Sequence, residues 1–256
     1  MNRFIALSLA ALATLTLAAC DNQNSRALQG WVEGEMIFVS PDEQGRVEML
    51  NVREGDRVQK GRLLFTLDDD LQKADVAVKR AALINAQQAY NRAEELLKSA
   101  SGTRKALDDA DAALRQAKAN LQASQTRLTR RRVLSPVDGT VQEVYFRAGE
   151  TVQPAKPVVA LLPPPNLKIR FFAPETKLAQ IKIGETVDVS CDACAKGLTA
   201  KVSFIAQSAE YTPPVIYSRE ERAKLVYLIE ARPADPEKFR VGQPVTVMLP
   251  PEGVSQ

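Results

Sequence analysis

The stretch Ala106-Leu-Asp-Asp-Ala-Asp-Ala-Ala-Leu-Arg-Gln-Ala-Lys-Ala-Asn-Leu-Gln-Ala-Ser-Gln-Thr-Arg-Leu128 carries leucine at every seventh position, Leu107, Leu114, Leu121 and Leu128. Ala110, Ala117 and Ser124 follow three residues after the first three of them. Apolar or small side chains alternating at spacings of three and four form the a/d seam of a coiled coil. The preceding stretch does the same. Val76, Leu83, Tyr90 and Leu97 recur every seven residues, Ala86, Ala93 and Ala100 fill the second seam position, and Lys79 interrupts it. Between the two lies Ser99-Ala-Ser-Gly-Thr103, in which Gly102 is expected to supply a left-handed turn and Thr103 an N-cap. So short a link makes the arms antiparallel neighbours. Each arm has about 30 residues and, at about 1.5 Å per residue, extends about 45 Å.

On either side of this hairpin the chain repeats itself. Gly45-Arg-Val-Glu-Met-Leu-Asn-Val-Arg-Glu-Gly-Asp-Arg-Val-Gln aligns with Gly139-Thr-Val-Gln-Glu-Val-Tyr-Phe-Arg-Ala-Gly-Glu-Thr-Val-Gln at a constant offset. Val47 matches Val141, Val58 matches Val152 and Leu67 matches Leu161, and a Ser-Pro precedes each copy at Ser40-Pro41 and Ser135-Pro136. Alternating apolar residues around a Gly-acid pair (Gly55-Asp56, Gly149-Glu150) imply hairpin strands. Neither copy is long enough to bury a core alone, so the halves are expected to pair across the base of the rod.

Two lipoyl- or biotinyl-like half-motifs around a coiled-coil hairpin resemble the HlyD family, the periplasmic adaptors or membrane fusion proteins of bacterial efflux and secretion pumps. In lipoyl carriers a tight turn bearing a modified lysine joins the halves. Here the rod replaces that turn, and no cofactor is implied. The resemblance implies an α+β fold: a split lipoyl-like β-sandwich with an inserted antiparallel α-helical hairpin, followed by a small β-barrel. That barrel is expected after Leu162-Pro-Pro-Pro165, from short strands at Leu167–Phe172, Thr186–Ser190, Leu198–Ile205, Leu225–Ala231 and Val245–Leu249. Turns at Ile183-Gly-Glu and Val241-Gly-Gln punctuate them. Strand order and the Ala209-Glu-Tyr-Thr-Pro213 segment are similar to adaptors serving ABC-type exporters. Many adaptors continue into a membrane-proximal domain, which is expected to be missing or vestigial here.

The N-terminus fits the same compartment. Arg3 is a short positive region, Phe4 to Leu17 an apolar one, and Leu17-Ala-Ala-Cys20 a lipobox whose cysteine would be acylated after cleavage. The apolar run is short for a membrane span, and an acylated Cys20 would be a firm anchor. By resemblance to enterobacterial lipoproteins, Asp21 acts as an inner-membrane retention signal. The expected organisation is therefore a signal peptide at 1–19, a linker at 20–29, half-motifs at 30–67 and 133–163, the helical hairpin at 68–132, a barrel at 164–250 and a tail at 251–256.

Composition narrows the chemistry. With 45% hydrophobic and 25% charged residues and a net charge of +3, nothing calls for nucleic acid. Arg130-Arg-Arg132 is expected as a solvated helix end matched to the dipole, and Asp68-Asp-Asp70 as its acidic counterpart at the other helix's start. There is no histidine, hence none of the commonest general base or metal ligand. No nucleophile-base pair or phosphate-binding glycine loop stands out, so an enzyme is not expected. With Cys20 lipidated, Cys191 and Cys194 remain, either as a structural disulfide or as two thiols at a strand end. Redox chemistry of the thioredoxin kind would place them at a helix N-terminus, and here they follow a strand.

The rod's end carries the candidate site. Arg92, Leu96 four residues later and Thr103 seven beyond that resemble the motif by which adaptors dock to TolC-type outer-membrane channels, with Thr103 in place of serine. The resemblance implies an adaptor on the periplasmic face of the inner membrane, self-associated as a hexameric ring. Its partners would be an inner-membrane transporter, ABC type favoured, and a TolC-type channel, for export of drugs, small molecules or proteins. A lipoprotein binding module or a structural tether without channel docking are the alternatives. Only 5% of residues are aromatic, which leaves the first little to line a pocket with.

Overall fold

A computed structural model describes residues 26–192, 194–211 and 225–250. Cys20, Asp21, the signal segment and the tail after residue 250 lie outside the described residues. The chain divides into two compact units, Met36–Pro163 and a second made of the flanking segments.

The first unit is the sandwich with its rod. To keep labels in chain order, β1 is given to Ala27–Gly34 of the other unit. The first half contributes β2 (Ile37–Val39), β3 (Gly45–Leu50), β4 (Arg57–Val58) and β5 (Leu63–Leu67). Helices α1 (Asp70–Lys98) and α2 (Arg104–Arg130) follow. The second half adds β6 (Arg132–Leu134), β7 (Gly139–Val144), β8 (Thr151–Val152) and β9 (Val159–Leu162). Each sheet mixes the two halves, in the orders β2-β9-β7-β4 and β6-β5-β3-β8. The exchange is reciprocal: Gly45 faces Val152 and Gly139 faces Val58. Likewise Gly55 N–H donates to Val141 O at 2.8 Å and Gly149 N–H to Val47 O at 2.7 Å. The duplicated sequence thus folds as a pseudo-twofold pair. Its matched residues Val47, Val141, Val58, Val152, Leu67 and Leu161 are all buried in one core, because neither half has enough apolar surface to close alone.

The rod follows its heptads. Leu107, Ala110, Leu114, Ala117, Leu121, Ser124 and Leu128 are buried or half-buried between mostly exposed neighbours. Near the base the buried Ser124 donates its Oγ–H to Asp75 Oδ2 at 2.7 Å, and Lys79, the residue that interrupts the seam, lies 3.9 Å from Asp75 Oδ1. The polar seam positions are therefore partnered.

The base of the rod corrects the sequence expectation for Arg130-Arg-Arg132. Arg131 is only 7% exposed. It donates from Nη1 to Gln44 O at 2.8 Å and from Nη2 to Glu43 Oε2 at 3.2 Å. Its own backbone C=O accepts the Leu67 N–H at 2.8 Å. A Cβ on Gly45 would lie 2.5 Å from Nη1, so that glycine makes room for the guanidinium. Arg131 clamps the rod to the sandwich, while Arg130, exposed and 3.3 Å from Asp42, behaves as a surface charge.

The second unit is a closed barrel. Its strands are β1, β10 (Leu167–Pro174), β11 (Thr186–Ser190), β12 (Leu198–Ile205), β13 (Glu210–Tyr211), β14 (Leu225–Pro233) and β15 (Pro244–Met248). The order β10-β1-β15-β11-β12-β14 returns to β10, and β13 pairs with the start of β14. All pairings are antiparallel. Closure removes the exposed strand edges. It requires β1, and here residues 27–34 depart from expectation: assigned by sequence to a linker and the first half-motif, they bridge β10 and β15 of the barrel. Gly30 permits this approach, since a Cβ there would lie 2.5 Å from Arg170 O.

Candidate functional site: the end of the rod

Helix α1 ends in a Schellman motif. Ser101 N–H reaches Leu96 O at 2.9 Å and Ala100 N–H reaches Leu97 O at 3.1 Å. The left-handed residue is Ala100, at φ 55°, not Gly102 as the sequence led one to expect. Gly102 serves close approach instead: a Cβ there would meet Leu96 Cβ and Leu97 N, each at 3.0 Å. The link therefore folds back over Leu96. An alanine in the left-handed region costs about 1 kcal/mol relative to glycine. Ala100→Gly is expected to raise the stability of the rod by about 0.5–1 kcal/mol, read as a higher denaturation midpoint by helical circular dichroism.

Thr103 begins the return arm in extended conformation, and its Oγ1 accepts the Ala106 N–H at 3.2 Å. Its hydroxyl proton stays available to donate, so capping leaves a contact open. Leu96 is 51% exposed, while the adjacent Leu97 is half-buried in the seam, as the heptad requires. Arg92, one turn before Leu96 on α1, is exposed.

Charges around this end are largely tied up within their own helices. Lys98 lies 3.3 Å from Glu95 and 3.4 Å from Glu94. The hydrogen bond to Glu95, then that to Glu94, holds the ammonium above its usual range. Lys105 is likewise raised by its 2.7 Å hydrogen bond to Asp109, and Arg104 pairs with Asp108 at 3.2 Å. Among the described residues, Arg92 is the cation here without an ion-pair partner. The end of the rod thus offers one free guanidinium, one apolar side chain and one hydroxyl within two helical turns and a five-residue link.

Elsewhere the structure joins Cys191 and Cys194 in a disulfide, with Cα atoms 5.3 Å apart. Gln243 Nε2 lies within hydrogen-bonding distance of both sulfurs, at 3.1 and 3.3 Å, and the Gln243 Oε1 accepts the Arg240 N–H at 3.0 Å. Among the described residues no group of acidic or thiol side chains is arranged to hold a metal, and no helix is long and apolar enough to cross a membrane.

Comparison with known proteins gives a family. A profile described as "RND MFP, barrel-sandwich hybrid domain" matches residues 35–162, half of the chain. A UPF0194 membrane protein of Acidithiobacillus ferridurans is 28% identical over 291 residues, spanning 87% of this chain and 86% of its own length. Among solved structures, the membrane fusion protein Spr0693 of Streptococcus pneumoniae R6 superposes with a TM-score of 0.68 at 21% identity, over 88% of this chain and 99% of that one. A MacA-MexA chimeric protein containing the Pseudomonas aeruginosa MexA alpha-hairpin domain gives a TM-score of 0.69 at 21% identity, over 87% of this chain and 79% of that one. At such identity these structures speak for the fold, and they share it. With a duplicated sandwich split by a helical rod, a closed barrel, and the family profile across the whole first unit, the chain belongs to the membrane fusion proteins, the periplasmic adaptors of membrane transport complexes.

Proposed function

We propose that the protein is a lipid-anchored adaptor joining an inner-membrane transporter, ABC type favoured, to a TolC-type outer-membrane channel. The observation that carries this is the free end of the rod, where Arg92 has no ion-pair partner among the described residues, Leu96 is half-exposed beside Gly102, and Thr103 keeps a donor. Cys20 would hold the chain to the inner membrane and Asp21 would keep it there. The ABC preference rests on the likeness of barrel order to adaptors of ABC exporters, whereas the matching profile is named for the RND class. The adaptor performs no chemistry on its cargo. Individually weak tip contacts gain avidity when repeated around a ring, where effective concentrations reach the millimolar range.

The test is purification of the full-length protein from membranes of its host. It is expected to bring down one inner-membrane transporter and one outer-membrane channel in the same complex. An ATP-binding subunit in that complex supports the ABC assignment, and a proton-driven pump in its place replaces that assignment. Recovery with neither partner overturns the adaptor reading in favour of a tether.

A further inference from the structure

The two ends of the barrel differ. At one end Gly34 pairs with Leu167, and through these residues the chain passes to the other unit. At the opposite end β1 begins, with Ala27 facing Met248 and the Leu249 N–H on Arg26 O at 3.2 Å. Because all pairings are antiparallel, β10, β12 and β15 finish at this second end, while β11 and β14 start there. It carries three exposed apolar side chains, Ile183, Phe204 and Leu225, at 69%, 47% and 40%.

Nothing in the fold asks for isoleucine at position 183. It precedes Gly184, at φ 89°, in a turn closed by the Glu185 N–H on Lys182 O at 3.1 Å. The same turn recurs at Arg53–Asp56, Arg147–Glu150 and Arg240–Gln243, with Glu54, Ala148 and Val241 in the equivalent place. A charge is therefore tolerated there. Gly184 donates its N–H to Val202 O, and Val202 its N–H to Glu185 O, both at 2.8 Å, which seats the turn against β12 two residues before Phe204. Lysines surround it: Lys182 and Lys201 are exposed, and Lys177 of the short helix α3 (Glu175–Leu178) is half-buried. Among the described residues none of the three has an ion-pair partner. Exposed carboxylates stand at this end too, on Glu175, Asp188 and Glu210, and that of Glu185 accepts the Lys182 N–H at 3.0 Å. Charges of both signs leave little net attraction, so the apolar residues must supply any adhesion.

We propose, resting on the acylated Cys20 of the adaptor reading above, that this end of the barrel docks on the phospholipid bilayer, with Ile183 and Phe204 seated in its interface. The length of the tether favours that partner. Six residue steps separate Cys20 from Arg26 and span at most about 22 Å when fully extended. Strand β11, second neighbour of β1 in the sheet, lies only about 10 Å further around the barrel. The patch is thus held beside the membrane, where an effective concentration in the millimolar range lets a weak contact persist. An apolar tip ringed by lysines suits such a surface: the side chains enter the headgroup and acyl boundary, and the ammonium groups reach phosphates. Docking would fix an orientation that the tether alone leaves open. The end bearing Gly34 and Leu167 would then point away from the bilayer.

The test uses the full-length lipoprotein reconstituted, without a transporter, into vesicles of phosphatidylethanolamine and phosphatidylglycerol. Ile183→Cys carries an environment-sensitive dye, and some lipids carry a nitroxide quencher on the upper acyl chain. With Cys20 acylated and Cys191 bonded to Cys194, the introduced thiol alone takes the dye. Strong quenching is expected at position 183. Val241→Cys, in the equivalent turn at the other end and 42% exposed, is expected to show none. In a second variant the dye sits at Leu225→Cys, and adding Ile183→Asp is expected to lower its docked-to-free ratio roughly ten-fold, the least that burial of an isoleucine side chain is worth. Near-ultraviolet circular dichroism of the barrel should not change. Equal quenching at 183 and 241, or shielding of 183 only after a transporter is added, overturns the bilayer contact. Mass spectrometry of Cys20 reports separately on the anchor: an unacylated Cys20 overturns both readings, whereas an acylated one with equal quenching overturns the patch alone.

Discussion

Leu96→Asp and Arg92→Asp are each expected to abolish crosslinking of the rod's end to the outer-membrane channel and to stop export, with the fold unchanged. Leu96 is half-exposed beside Gly102 and Arg92 has no ion-pair partner among the described residues, so neither substitution removes a contact that holds the hairpin together. Truncating an interface anchor commonly costs more than about 1 kcal/mol, and a carboxylate in its place adds desolvation and repulsion. In a ring that loss recurs in every copy, which turns a modest weakening into loss of docking. The measurement is site-specific crosslinking and substrate export in variants whose helical circular dichroism and membrane fractionation match the unsubstituted protein. Both variants crosslinking and exporting normally would show that this end is not the docking surface.

Leu114→Asp is expected to destabilise the rod by about 3–5 kcal/mol, since it places an unpaired carboxylate where a buried leucine now fills the seam between the arms. The same seam loses the transfer and packing contribution of the leucine. The expected signature is a loss of helical circular dichroism together with an earlier thermal transition, while near-ultraviolet signals from the barrel, which carries the single tryptophan, Trp31, change little. Unchanged helical signal and melting would contradict the coiled-coil packing.

What could be read from the sequence follows from how local its cause is. The heptads were legible because seam and surface alternate within one helix. The duplicated turns were legible because each is a short pattern with one cause. Arg53, Arg147, Lys182 and Arg240 donate their backbone N–H to the side chains of Asp56, Glu150, Glu185 and Gln243 at 2.9–3.0 Å, over a glycine at φ between 80 and 95° in every case. What escaped depends on distant partners. The strand at 27–34 joins the barrel through pairings with residues 167–171 and 244–248, and nothing within it announces them. Arg131 looked like its two neighbours in a basic run, and only Gly45, far away in sequence, makes room for its burial. At the tip, the positions of Arg92, Leu96 and Thr103 were legible, but the left-handed Ala100 was not, because glycine two residues later is the more usual choice.

The reciprocal strand exchange has a kinetic consequence. Each sheet needs segments from both halves of the repeat, so the sandwich cannot assemble until the chain has passed Leu162, and its pairings span long stretches of sequence. Such distant contacts are slow to form because the intervening loop must first be closed. The rod removes that delay. Helices form in about a microsecond and a helical hairpin uses only local contacts. Zippering from the five-residue link toward Val76 and Leu128 then delivers Leu67 and Arg131 to within one hydrogen bond of each other, ready to seed the pairing of β5 with β6. The same element that would reach outward in the assembled protein would thus, during folding, act as the clasp that brings the two halves of the sandwich together, and lesions in its seam should slow sandwich formation as well as weaken the rod.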